Sequence, residues 1–421
     1  MPVRRQGILA AIALLGAFAG VTVFQRSLAG WLPFHVRLLS HQWGQAEIRQ
    51  PSTRFLVVAG GGAPSYNEIA LEKNVQYFQR SLAHMGWNPA FATVLFANGT
   101  DGRASVRYLD LLGRERFKVP NIDYLTGAAT ETAVRQWFQD ASSNQSDMRH
   151  CLTFFYFTGH GNLNKDNADN NDLILWEEGL LSVQELAGML DQWPPEIPFV
   201  TMMAQCYSGA FANLIYENGD ASQPVALQTR CGFFATVKTR PSVGCTPLVN
   251  EADYRDYSSS FFAGLSGQDR VGHPISSADY DANGQISFAE AHAFAKVDGE
   301  TSDWPISTSE SWLQEQASTE QIKAILQQPM QAGLAQARPE QQYVITALAA
   351  KLGYDLQMAF ENSPTPQEKL LGFSQEILSA YRMRLRMELV NVGVEARLRS
   401  EGNQEAIATL EKLLGCEASS W

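Results

Sequence analysis

Two spacings of apolar residues run along this chain, and the change from one to the other divides it. From residue 54 to about 295, short runs of β-branched and aromatic residues alternate with stretches of helical period. Residues 54–59 (RFLVVA), 93–96, 152–157, 199–204 and 232–237 read as strands. The runs at 152 and 199 are almost uninterrupted, as expected of strands covered on both faces in a parallel sheet. Helical stretches fall between them: 65–86, then ETAVRQWFQ after Thr130, then SVQELAGMLDQW opened by Ser182, then 258–265. Thr130 is a capping residue type, and Glu131 puts a carboxylate where the helix dipole favours it. This alternation predicts an α/β fold with a mostly parallel sheet. From Ser307 onward the strand signals vanish. Leu-, Ala-, Gln- and Glu-rich stretches broken at Pro329, Pro339 and Pro364–Pro366 predict a C-terminal helical appendage of about four helices.

The first residues follow a different logic. Arg4 and Arg5 precede an uncharged, mostly apolar run over 8–24, closed by Gln25 and Arg26. A basic start, an apolar stretch and the small residues Ala17 and Ala19 describe an export signal, or an anchor if the segment stays uncleaved. The expected organisation is a signal peptide or membrane anchor over 1–26 and a linker over 27–53. An α/β domain over 54–300 and a helical C-terminal region over 301–421 follow. The catalytic part is then expected outside the cytoplasm: periplasmic, secreted or membrane-anchored.

Composition narrows the function classes. The 421 residues carry 32 basic and 44 acidic side chains, a net charge of −12, which argues against nucleic acid as a partner. With 45% apolar and 18% charged residues the chain is not mainly disordered. The Gly60–Gly62 turn lacks the Lys-Ser/Thr of a phosphate loop and the spacing of a dinucleotide fingerprint, so no organic cofactor is expected. Five cysteines (Cys151, Cys206, Cys231, Cys245, Cys416) are an odd number, which in an exported protein leaves a thiol over. Cys231 and Cys245, close in sequence, could pair or stay reduced.

In a parallel sheet, chemistry gathers at the carboxyl ends of the strands. Two strands here end on unusual residues: FFYF-Thr158-Gly159-His160-Gly161, and FVTMMA-Gln205-Cys206-Tyr207-Ser208-Gly209. A thiol is mostly protonated at neutral pH, and a neighbouring imidazole stabilises its thiolate or carries its proton. Gly161 offers an unobstructed backbone N–H that, with that of Cys206, suits an oxyanion. Gly209 allows a direct turn into a helix whose N-terminus favours a thiolate. Separately each motif is as well explained as a turn or a small buried hydrophobe; together, one strand–helix–strand unit apart, they point to a nucleophile and its base.

On these residues the chain resembles the caspase-like cysteine peptidases, the group that holds legumains, caspases and metacaspases. TGHG after an apolar strand and QCYSG after the next carry the likeness. So do LEKNVQYFQRSLAHMGW, GFFATV and YSSSFFAGL, over roughly residues 54–295. The resemblance implies a caspase-like three-layer α/β/α sandwich, a His160–Cys206 dyad and Gly161 as oxyanion donor. It implies substrate-preference residues in the loop after GFFATV, where Arg240, Ser242, Glu251 and Asp253 stand. The flanks of Cys206 match neither the caspase QACRG nor the legumain EACESG form; export favours the legumain-like side.

One further motif is independent of this. Residues 279–290 (DYDANGQISFAE) fit the calcium-loop pattern of an EF-hand. Asp279, Asp281, Asn283, the Gln285 carbonyl, Ser287 and Glu290 are the expected ligands, Gly284 the sharp turn, and Ca²⁺ the expected ion. No helical pattern enters the loop, so a single bracing site is expected. The acidic stretch 166–172 lacks ligand spacing and reads as a mobile loop over the cleft. The expected function is an exported cysteine endopeptidase acting on peptide or protein substrates. Alternatives are a transpeptidase using the same dyad, or an inactive calcium-braced scaffold whose C-terminal helices bind a partner protein.

Overall fold

The computed structural model of the protein describes residues 53–143, 151–367 and 371–421. The expected signal or anchor over 1–26, and the linker over 27–53 up to residue 52, lie outside the described residues. Among the described residues no helix is long and apolar enough to cross a membrane.

The α/β part opens with β1 (Thr53–Gly60), α1 (Ile69–His84) and β2 (Thr93–Phe96), then a small hairpin, β3 (Val106–Leu109) and β4 (Glu115–Lys118). It continues through β5 (Leu125–Gly127), α2 (Glu131–Ser143), β6 (Leu152–Asn162), β7 (Asp172–Leu175), β8 (Gly179–Ser182), α3 (Val183–Leu190) and β9 (Phe199–Met203). It ends with β10 (Arg230–Phe234), α4 (Tyr257–Ser266), α5 (Phe288–Asp298) and β11 (Ile306–Ser307). The main sheet runs β11-β10-β9-β6-β1-β2-β5, parallel except for β11, and β7 and β8 extend antiparallel from the far end of β6.

Alternation along β1 explains the layers. Phe55, Val57 and Ala59 point into a core shared with Leu71 and Phe78 of α1, Phe261 and Phe262 of α4 and Phe288 of α5. Leu56 and Val58 point the other way, to Val134 and Phe138 of α2 and Leu186 and Leu190 of α3. Burial of both faces is why strands with no polar side read as unbroken apolar runs. The result is the expected three-layer sandwich. Local signals hold at helix starts: Ser182 and Glu185 form a reciprocal cap on α3, and Thr130 Oγ1 accepts from Ala133 N at 3.2 Å.

The C-terminal part comprises α6 (Thr308–Glu315), α7 (Thr319–Leu326), α8 (Met330–Leu334), α9 (Pro339–Leu352), α10 (Gln375–Glu401) and α11 (Gln404–Glu417). These helices share a core around Leu313, Leu348, Tyr381, Leu385 and Leu410, which also takes in Ile215 and, from α5, Ala293 and Val297. They are also tied to the sandwich. Cys416 at the end of α11 is disulfide-bonded to Cys231 on β10. Trp421 packs edge-on against Phe55 and Phe154, with ring centroids 5.1 and 4.9 Å away. Buried Lys296 of α5 bridges Glu310 of α6 and Glu388 of α10. The pairing of Cys231 with Cys245 expected from their proximity in sequence is therefore corrected. Strand β10 carries Cys231 into the layer beneath α11, while Cys245 lies in the loop that crosses the carboxyl end of the sheet.

Candidate active site

Strands β6 and β9 pair in parallel up to Phe157 and Met203. His160 and Cys206 each stand three residues beyond that pair (157 to 160, 203 to 206), so equal lengths of chain carry both past the sheet edge. The two strand ends touch at Gly161: a Cβ there would lie 2.1 Å from the Cys206 carbonyl oxygen and 2.9 Å from Gln205 Cγ. Only glycine fits so close to the Cys206 backbone. Both His160 and Cys206 are half-buried, open in part to solvent.

The imidazole is held from outside the motif. Its Nε2 lies 3.0 Å from Glu68 Oε2, at the residue capping α1, and the other Glu68 oxygen takes a 2.6 Å hydrogen bond from Arg107 of β3. Tyr66 stands edge-on to the ring at 5.3 Å between centroids. Burial works to raise the Glu68 pKa, but the hydrogen bonds from His160 and Arg107 outweigh it and the carboxyl ends below its ordinary value. An ionised carboxylate at Nε2 fixes that nitrogen as the donor and leaves Nδ1 to exchange protons. Glu68 was not singled out from the sequence, because nothing in SYNEIA marks a partner 92 positions away.

After Cys206 the chain departs from expectation. Residues Ser208–Ile215 form a 3₁₀ helix, and Tyr207 before it sits in the left-handed region at φ 60°. The first amides are committed elsewhere: Tyr207 N donates to Arg240 O and Gly209 N to Thr236 O, both at 2.8 Å. The expected helix N-terminus is thus spent on the loop after β10 and not directed at the thiol. A left-handed tyrosine costs of order 1–3 kcal/mol, held here by these two bonds.

That loop is a strap across the sheet end. Ser242 N donates to Cys206 Sγ at 3.3 Å, the thiol faces Ser242 O at 3.6 Å, and Thr246 O and Pro247 O accept from Ala70 N and Leu109 N. Cys245 faces the Gly159 carbonyl at 3.7 Å, one residue before His160. Its surface is open to solvent, yet its thiol is packed among protein atoms. Burial, with Glu68 and the Cys206 thiol nearby, pushes its pKa well up. Of the expected preference residues, Ser242 adjoins the thiol and Arg240 stacks on Trp304 at 3.9 Å, its carbonyl holding Tyr207. Glu251 instead pairs with Lys73 and Arg80 on α1, and Asp253 closes a turn with Asn250. Neither adjoins Cys206. The 166–172 stretch is stitched down: Asn171 is buried and donates to Tyr207 O (3.3 Å) and Lys238 O (2.9 Å).

Beneath the strap lies Asp303, 1% exposed, whose Oδ1 accepts from Val243 N at 2.9 Å while Oδ2 has no hydrogen-bond partner among the described residues. Arg384 of α10 pins the preceding loop through the carbonyls of Gly299, Thr301 and Asp303. Burial raises the Asp303 pKa to about 7. Unfolded, the carboxyl ionises near pH 4, so between roughly pH 4 and 7 the folded state keeps a proton that the unfolded state releases. Stability from this site is present below that window and lost as pH rises through it. Asp303→Asn keeps the bond to Val243 and is expected to match the parent near pH 4. At pH 8 it should be about 4 kcal/mol more stable in urea titrations; equal midpoints at pH 8 would contradict the assignment.

The 279–290 segment brings its acidic groups together: oxygens of Asp279, Asp281 and Glu290 lie within 4.8 Å of one another. Asp279 accepts from Asn283 N and Gly284 N, both at 3.0 Å, and Gly284 takes the positive φ (85°) of the sharp turn. Asn283 Oδ1 instead takes the Gln285 amide, and Ser287 Oγ caps α5 through Glu290 N, leaving its ligand role to an intervening water. This oxygen-only donor set fits a hard cation.

Residues 75–323 match the family model described as the caspase domain. No curated protein matches the chain. Among solved structures, a Geobacter sulfurreducens protein from a structural-genomics programme aligns at 12% identity with a TM-score of 0.34, covering 57% of this chain and 88% of its own. That likeness is too slight to bear on the argument. The family match extends over more than half of the chain, and the chain belongs to the caspase-domain family, whose chemistry is of the cysteine-peptidase type.

Proposed function

We propose that the protein is an exported cysteine endopeptidase in which Cys206 is the nucleophile and His160 its base. Cys206 attacks the scissile carbonyl, and the proton it loses passes through His160 Nδ1 to the leaving amine. Water, deprotonated by the same imidazole, then releases the acyl group. The N–H groups of Gly161 and Cys206 are assigned to the oxyanion. The observation that carries this reading is the backbone contact between Gly161 and Cys206, which brings both motifs together at the carboxyl end of the sheet. Glu68 supports it by holding the imidazole without touching the substrate. The Cys231–Cys416 disulfide supports export, since such bonds persist outside reducing compartments. An uncleaved N-terminal segment would add a membrane contact.

The test is covalent. Peptides carrying a thiol-reactive electrophile at the scissile position are expected to label Cys206 stoichiometrically, and a peptide library to show cleavage that Cys206→Ala abolishes. Labelling of Cys206 no faster in the parent than in His160→Ala would point instead to an idle scaffold.

Calcium in the 279–290 loop is proposed as a structural brace, held by Asp279, Asp281, Asn283, the Gln285 carbonyl and Glu290. The loop leads directly into α5, so an ion there would stiffen the helix that carries Lys296. At a hundred times its Kd, calcium would add about 2.7 kcal/mol, so chelator is expected to lower the melting temperature by several degrees. Asp281→Asn, which leaves the α5 cap intact, should remove most of that response; an unchanged response would count against the site.

A further inference from the structure

The strap brings a second sulfur to the imidazole. Oxygen of Glu68, ring nitrogen of His160 and Sγ of Cys245 all lie within 4.8 Å of one another. We propose that these three residues form a binding site for a borderline-soft divalent cation, Zn²⁺ foremost, with a fourth position open toward the cleft. The mixture of thiolate, imidazole and carboxylate is what Zn²⁺ takes and what Ca²⁺ or Mg²⁺ does not favour.

Each donor is independently positioned. Arg107 orients the Glu68 carboxylate at 2.6 Å. His160 is set by β6 and its edge contact with Tyr66. Cys245 is set by the strap, tied on one side at Ser242–Cys206 and on the other at Thr246–Ala70. The 3.0 Å between His160 Nε2 and Glu68 Oε2 suits two ligands of one ion as well as a hydrogen bond. Binding releases the thiol proton to solvent as the sulfur–metal bond forms. The cation therefore occupies the imidazole that the dyad requires, without using the Cys206 sulfur. The consequence, reversible inhibition, rests on the peptidase reading; the binding itself does not.

Cobalt reports this site without activity. Titrating the full-length protein with Co²⁺ in a thiol-free, non-chelating buffer should give one equivalent of a thiolate-to-cobalt charge-transfer band in the near ultraviolet. Cys245→Ser and His160→Ala should abolish it, and Glu68→Gln should weaken binding by at least ~10-fold. Cys206→Ser and Asp281→Asn should retain it, setting the site apart from both the dyad sulfur and the 279–290 loop. In cleavage assays Cys245→Ser should need at least ~10-fold more Zn²⁺ for half-inhibition at unchanged metal-free activity. A protein that cleaves no peptide yet gives the band with this dependence retains the metal site while losing the peptidase reading. No band in the parent, a band that survives Cys245→Ser, or one that disappears in Cys206→Ser would overturn the proposal.

Discussion

Cys206→Ala and His160→Ala should each lower kcat/KM for the best peptide by at least ~10³-fold, and the double variant should be no slower than either alone. The reason is that the sulfur and the ring act as one unit: without the base the thiol is a poor nucleophile, and without the nucleophile the base has nothing to deprotonate. Losses that added instead would mean two independent roles. Glu68→Gln tests the layer behind the dyad. A glutamine offers Nε2 either an amide oxygen without charge or an amide N–H that forces the other tautomer, so a fall in kcat of ~10²-fold with little change in KM is expected. Glu68→Asp should recover part of it, because the carboxylate is kept and only its reach shortens. A residue that merely capped α1 would move stability and leave kcat alone. Cys245→Ser, a substitution in the same cleft, should leave metal-free turnover as it was.

Most of the architecture was written in local pattern. The strands at 93–96 and 199–203 fall where their apolar runs stand, since burial on both faces leaves no polar position to blur the signal. The His160 and Cys206 strand ends were visible because glycine beside a reactive side chain is a local feature. What escaped was set by contacts remote in sequence. Glu68 reaches His160 across 92 positions, and Asp303 reaches Val243 across 60. Nothing short-range marks either residue, and in isolation each is one more acidic side chain. The loop after β10 crosses the carboxyl end of the sheet beside Cys206, but its orientation is not legible in the sequence. Ser242 adjoins the Cys206 thiol and Arg240 meets Tyr207 through its carbonyl, while Glu251 is drawn to two α1 cations. The 3₁₀ turn after Cys206 illustrates the same limit: Gly209 promised a helix start, and its amide was taken by Thr236 from another strand's loop.

Reduction of the Cys231–Cys416 bond, which lies within the buried core, is expected to cost this chain much of its stability. The bond joins residues 185 positions apart, and cross-linking so long a segment restricts the unfolded ensemble by about 5 kcal/mol in the chain-entropy account. It also fastens the end of α11 to β10, five residues before Trp421 enters the aromatic cluster of Phe55, Phe78, Phe154 and Phe288. Cys416→Ser should therefore lower the urea midpoint strongly. Dithiothreitol should do the same to the parent and nothing further to the variant. Cys245→Ser should not share this effect, which separates the observed pairing from the one that sequence proximity suggested. Trp421→Ala provides the second arm: its cost, about 3–5 kcal/mol from lost packing, persists under reduction. Combined with Cys416→Ser it should fall short of the sum, because both changes free the same terminal segment. Parent and Cys416→Ser proteins with equal midpoints in the absence of reductant would mean that this bond does not form, and with it would go the support that the disulfide lends to export.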